Sequence, residues 1–166
     1  MNFTTPRLTV RDLTLEDNAL ILELLTSPTW LEFIGDRGVY TLGDAEGYIA
    51  RMRDRYVQFG FGFWLVQLTN NAKIGICGLI QRDGLPDVDI GFALLPQFAG
   101  QGYALEAARA TLEHARDTLK LSRLAGITTP ENLRSIRILE TLGLEFERTV
   151  KLEPDDAELN YYARDL

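Results

Sequence analysis

The residues with the most chemical potential lie in one run, Gln97-Phe98-Ala99-Gly100-Gln101-Gly102-Tyr103-Ala104, between a strand-like stretch and a helix-like one. Backbone amides at a helix start are unpaired and point along the axis, and the helix dipole adds partial positive charge. Such a loop suits a pyrophosphate without help from Lys or Arg. Gly100 and Gly102 carry no side chain, so phosphate oxygens can approach the backbone. A G-x-G after a strand is also the ordinary composition of a tight turn, and alone it leaves both readings open. It is not the dinucleotide fingerprint, which needs glycine where Leu105 stands, and the Gly-Lys-Ser/Thr of a P-loop is absent.

A second segment, Asn132 to Gly143, places Asn132, Ser135 and Leu139 at i, i+3 and i+7, on one face of a helix. Read singly, Asn132 is an early-turn residue after Pro130 and Ser135 a tolerated small polar one. Cys77 is the single cysteine, which removes internal disulfides and, with His114 as the single histidine, any Cys/His zinc site; no metal is expected. Cys77 lies in the apolar run Ile74 to Leu79 and reads as a buried structural thiol. His114, mid-helix about three turns past the glycine loop, reads as structural. Trp30, Phe33 and Trp64 either shape an acceptor pocket or pack the core.

The elements that must position these residues are legible from period and punctuation. Thr5 to Leu13 alternates as a strand; Thr14-x-x-Asp17 and Thr41-x-x-Asp44 open two helices, the second ending near Gly60. Phe61 to Leu68 and Lys73 to Gln81 form an antiparallel pair around Thr69-Asn70-Asn71-Ala72. Val88 to Leu95 is the strand feeding the loop and a long helix ending near Leu119. Strand Leu121 to Thr128, helix Asn132 to Leu142 capped by Gly143, and strands Glu145 to Leu152 and Leu159 to Arg164 follow.

The 166 residues suit one compact α/β domain over 1–166, with 46% hydrophobic and 25% charged residues. A net charge of −7 disfavours a nonspecific grip on nucleic acid and fits a cationic or amine-bearing partner. No run reaches the roughly 18 apolar residues of a membrane span, and the start MNFTTPRLTVRDL lacks an apolar leader core, so no membrane role and a cytoplasmic location are expected.

Gln97-x-x-Gly100-x-Gly102 resembles the Gln/Arg-x-x-Gly-x-Gly/Ala motif of the GNAT superfamily of N-acetyltransferases, and the order of elements is similar along nearly the whole chain. Asn132-x-x-Ser135 and the Thr5-Pro6-Arg7-Leu8 start resemble the branch of bacterial ribosomal-protein N-terminal acetyltransferases. The resemblance implies an α+β fold: a central mixed, mostly antiparallel sheet of about six or seven strands, splayed between two parallel strands, with about four helices. It implies acetyl-CoA as co-substrate, its pantetheine pairing with Leu94 and Leu95, its pyrophosphate on residues 97–104, and Asn132 and Ser135 alongside.

The implied reaction is direct attack of a primary amine on the thioester in a ternary complex, with no covalent enzyme intermediate. Where many family members place a tyrosine to protonate the thiolate, this chain has Leu139, and Ser135 is the substitute expected. Glu153, near the position of a glutamate in the resembling branch, is the expected base acting through water; its other reading is a surface acid. The expected acceptor is a protein or peptide N-terminal α-amine. The alternatives are a small amine such as an antibiotic or polyamine, or a non-catalytic acyl-CoA-binding module. A monomer and a homodimer fit equally.

Overall fold

The computed structural model describes residues 2–166. Eight strands form one sheet: β1 (Asn2–Thr4), β2 (Leu8–Arg11), β3 (Phe63–Leu68), β4 (Lys73–Ile80), β5 (Asp89–Leu94), β6 (Arg123–Thr128), β7 (Glu145–Val150) and β8 (Leu159–Asp165), in the order β1-β2-β3-β4-β5-β6-β8-β7. Neighbours are antiparallel except β5 and β6, which are parallel and share only the pair Asp89↔Ala125. Past that pair the two strands part.

Helices α1 (Asn18–Leu25), α2 (Pro28–Phe33) and α3 (Leu42–Phe59) cover one face, burying Ile21, Leu24, Trp30, Tyr48 and Ile49 against Leu65, Ile76 and Leu95. Helices α4 (Tyr103–Asp117) and α5 (Leu133–Thr141) cover the other, burying Ala107, Leu112, Leu139 and Leu142 against Trp64, Cys77 and Ile90. Residues along β5 therefore alternate, with Ala93 in the first cluster and Ile90, Phe92 and Leu94 in the second.

The local signals for helix starts hold. Thr14 and Asp17 form a capping box at a 3-10 turn leading into α1, and Thr41 and Asp44 form another at α3. Gly60 closes α3 at φ +79°, and Asn71 takes φ +68° in the hairpin turn. Buried Asp17 also accepts from Arg11 at 2.9 Å and Lys73 at 2.6 Å. Burial alone would raise its carboxyl; the bonds from Arg11, Lys73 and Thr14 win and hold it at about 2, pinning β2 and β4 to the start of α1.

Two features differ from the sequence reading, giving, among the described residues, eight strands where about six or seven were expected and five α-helices where about four were. The first strand is a pair, because the chain reverses at Pro6-Arg7 and Asn2 lies opposite Arg11. Ser27-Pro28, read as a break, starts α2: the Ser27 hydroxyl accepts the Trp30 amide at 3.4 Å, and proline sits where a missing N–H costs nothing. Among the described residues no helix is long and apolar enough to cross a membrane.

Candidate active site

A cleft of about 1240 Å³ runs through the opening between β5 and β6, bounded by α1 to α3 on one side and by the residue 98–105 loop and α5 on the other. One end is made of backbone. Gly100 and Gly102 have φ +78° and +81°, and Gly102 is the N-cap of α4. A Cβ at Gly100 would meet open space. Among the described residues, the amides of residues 100–105 have no acceptor; the first helical bond is Glu106 N–H to Gly102 C=O. A run of unpaired amides at a helix N-terminus fits the pyrophosphate of a coenzyme.

The loop is braced by Arg7, which the sequence reading named only as part of the Thr5-Pro6-Arg7-Leu8 start, with no role at the site. Arg7 donates from Nε to Glu106 at 2.6 Å and from Nη1 to the Gln101 carbonyl at 2.9 Å, and its guanidinium lies 4.5 Å from the Tyr103 ring centroid. Thr5 donates to the same Glu106 carboxylate at 2.6 Å. Arg7 thus ties the β1–β2 turn to α4 and offsets the one acidic side chain in its first turn, which would repel a phosphate. An Arg7→Ala variant is expected to bind acetyl-CoA about five- to tenfold more weakly, for the loss of roughly 1 kcal/mol of charge-assisted bonding. Isothermal titration checks this; unchanged affinity would mean the loop keeps its shape untethered.

Of the expected site residues, Leu94, Phe98, Ala99, Gly100, Gly102, Tyr103, Ala104, Asn132 and Ser135 line this cleft, and Leu95, Gln97, Gln101 and Glu153 do not. Leu95 is 3% exposed in the α1–α3 core, and its amide already donates to Ile74 at 2.8 Å, so its backbone has no N–H to offer a pantetheine. Gln97 and Gln101 point to solvent. Glu153 is exposed on the β7–β8 loop, which turns because Asp156 accepts its amide at 3.2 Å, and it is Asp156 that reaches the cleft. Asn132 caps α5, its side-chain oxygen accepting the Ser135 amide at 3.2 Å. The Ser135 hydroxyl has no partner among the described residues. Leu139 is buried against Gly126, whose missing side chain lets α5 seat on β6.

The other residue given no role by the sequence reading is Asp89, where β5 and β6 part. It is 2% exposed, receives Arg82 Nε at 2.8 Å on one oxygen and the Ile127 amide at 3.3 Å on the other, and lines the cleft. Burial pushes its carboxyl up to about 6, against the pull of Arg82 and the Ile127 amide. The available signal was a lone acid opening an otherwise apolar strand. Its burial, however, follows from the Ile80↔Asp89 pairing and the β6 approach, which no local pattern states.

The two candidates read as structural lie outside the cleft. Cys77 is fully buried, 3.3 Å from the Thr111 hydroxyl, with its thiol pushed up to about 12 by burial. His114 stacks on Phe3 at 5.6 Å, and burial lowers its basicity. Trp30 and Phe33 line the cleft, whereas Trp64 is core.

The family model described as acetyltransferase (GNAT) domain matches residues 7–145. The Bacillus subtilis (strain 168) protein YnaD, described as an uncharacterised N-acetyltransferase, is 26% identical over 147 residues, 89% of this chain and 84% of its own length. An acetyltransferase from Agrobacterium tumefaciens superposes with a TM-score of 0.82 at 28% identity, covering 99% of this chain and 94% of the other. The ribosomal-protein-S5-alanine acetyltransferase of Vibrio fischeri has a TM-score of 0.83 at 16% identity, covering 99% and 96%, a likeness of fold.

Proposed function

The chain belongs to the GNAT acetyltransferase family, and we propose that it moves the acetyl group of acetyl-CoA onto the N-terminal α-amine of a protein or peptide by direct attack in a ternary complex. The amine nitrogen attacks the thioester carbonyl, the C–N bond forms as the C–S bond breaks, and the amine gives up its proton. The free amides of residues 100–105 hold the pyrophosphate, and Asn132 and Ser135 flank the pantetheine. Asp89 takes the proton from the amine through water, and Ser135 assists protonation of the thiolate.

The observation that carries this reading is the buried Asp89 carboxyl with a pKa of about 6 inside the same cleft as the amide run. An α-ammonium of pKa near ~8 is then only about 2 pKa units above its base, roughly 3 kcal/mol uphill, whereas a lysine near ~10.4 is about 6 kcal/mol uphill. The difference lies in the acceptors' own ammonium groups and holds for any base, so an α-amine asks less of a carboxylate than a lysine does. The Vibrio fischeri protein of the same fold is described as acting on an alanine of a ribosomal protein, which agrees with an α-amine acceptor.

The test is release of free thiol from acetyl-CoA with short peptides bearing a free N-terminus, the same peptides N-acetylated but containing lysine, and spermidine. Release with the first set, with the acetyl group placed on residue one by mass spectrometry, is expected. Release with spermidine alone would move the acceptor to small amines, and binding without release from any amine would leave an acyl-CoA-binding module. Within the reading, Ser135→Ala is expected to lower turnover about tenfold while leaving acetyl-CoA affinity within about twofold. A thiolate of pKa near ~8.5 leaves readily, so its protonation assists without being required.

A further inference from the structure

The chain carries a net charge of −7, yet the acceptor side of the cleft is locally basic. Arg37 on the α2–α3 loop, Arg51 and Arg55 on α3 and Arg82 after β4 all line it, against Glu32 and Asp89. Asp89 is taken by Arg82 at 2.8 Å, and Arg55 donates to the Gln81 carbonyl at 3.2 Å. Arg37 and Arg51 have no carboxylate partner among the described residues. Arg51 and Arg55 are four residues apart and share one face of α3.

A second observation comes from a neutral group. Tyr48 is 6% exposed, lines the cleft beneath Arg51, whose guanidinium is 5.9 Å from its ring centroid, and its hydroxyl has no hydrogen-bond partner among the described residues. The hydroxyl is open to the cleft, so it is available to a ligand that enters there. Burial pushes it up to about 12 while Arg37, Arg51, Arg82 and Arg55 pull against that rise, so at neutral pH it remains an O–H donor. Two unpaired guanidiniums and a donor hydroxyl on one wall present donors without a matching acceptor.

We propose that this wall, built by Tyr48, Arg37 and Arg51, binds a carboxylate carried by the acceptor a few bonds from its reacting amine. The proposal rests on the acetyl-transfer reading above and narrows its acceptor to an anionic amine. Asp89 faces the amine at the point where β5 and β6 part, and the arginines face the acid, so the cleft is complementary to a zwitterion. Two sources share this chemistry: an acidic side chain next to a peptide N-terminus and the α-carboxylate of a free amino acid.

The test compares kcat/KM for the amidated peptides Ser-Asp-Ala-Ala, Ser-Asn-Ala-Ala and Ser-Lys-Ala-Ala, and for serine against serinamide. The acid is expected to exceed its isosteric amide by about tenfold in one of the two arms, which names the source, and the lysine peptide to fall below both. The preference should shrink at high salt, because Arg37 and Arg51 are exposed. In an Arg37→Ala/Arg51→Ala double variant the acid-to-amide ratio is expected to drop to about 1, and Tyr48→Phe should lower it partway. Ratios at or below 1 in both arms, in a protein that acetylates amines, would overturn the proposal and leave the transfer reading standing. Should no amine release thiol, the transfer reading fails, and titration of the same compounds into protein saturated with coenzyme A decides the inference separately. An acid that binds no tighter than its amide overturns it there too.

Discussion

Replacing Gly102 by glutamate is expected to abolish measurable acetyl-CoA binding, a loss of at least about a hundredfold in Kd. Gly102 holds φ +81° at the N-cap of α4, a conformation in which an L-residue pays roughly 1–2 kcal/mol. Any Cβ there also comes 3.3 Å from Arg7 Nη2, so the brace that holds the loop must shift. The new carboxylate would face a pyrophosphate at about 4 Å, a repulsion between roughly 1 kcal/mol in bulk water and 4 kcal/mol near a protein surface. Gly102→Ala separates these terms, since it keeps the backbone strain and the Arg7 contact without the charge; it should lose about tenfold. Isothermal titration with acetyl-CoA reads both variants. A glutamate variant within about threefold of the unsubstituted protein would remove the pyrophosphate from this loop.

That loop was legible in the sequence because its chemistry is local: two glycines, a strand before and a helix after. The same holds for the Thr14 and Thr41 capping boxes and for Gly60, where a few adjacent residues decide the backbone. What escaped was set by partners far along the chain. Arg7 and Glu106 are 99 residues apart, and only the sheet order that brings β2 near the start of α4 makes them a pair. Leu95 reads as the natural continuation of β5, but alternation turns it onto the α1–α3 face, away from the side that Leu94 presents to α4. Glu153 and Asp156 differ by three positions on one loop, and only the folded loop shows that Asp156 is the one lining the cleft.

Arg37 and Arg51 were invisible for a different reason. Net charge averages the molecule, and the acidic total that pointed to a cationic partner hides a basic wall in the cleft. Charge arguments about a ligand therefore gain force only when the residues that face it are known.

Asp89→Asn is expected to lower kcat by about a hundredfold or more without lowering the thermal midpoint at pH 7, and the pairing of those two results is what identifies a base. The folded-state carboxyl sits at about 6, above its ordinary 3.8, because burial disfavours its charged form more than Arg82 and the Ile127 amide favour it. The sign follows from linkage: a carboxyl raised on folding stabilises the fold below about 3.8, and that contribution is lost as pH rises through about 6. At pH 7 the ionised group is therefore a liability of about 3 kcal/mol, which the neutral amide does not carry. Arg82, whose side chain is 26% exposed, can return to water when its partner goes. Activity of the unsubstituted protein should rise with pH through about 6, as the carboxylate forms, and rise again where the acceptor amine loses its proton. The variant should lose the first rise and keep the second. If Asp89 served only to hold the parting strands, its loss would lower the midpoint and activity together and leave the limb near pH 6 in place. That outcome would return the search for a base to Asp156, an acid that the β7–β8 loop brings to the cleft.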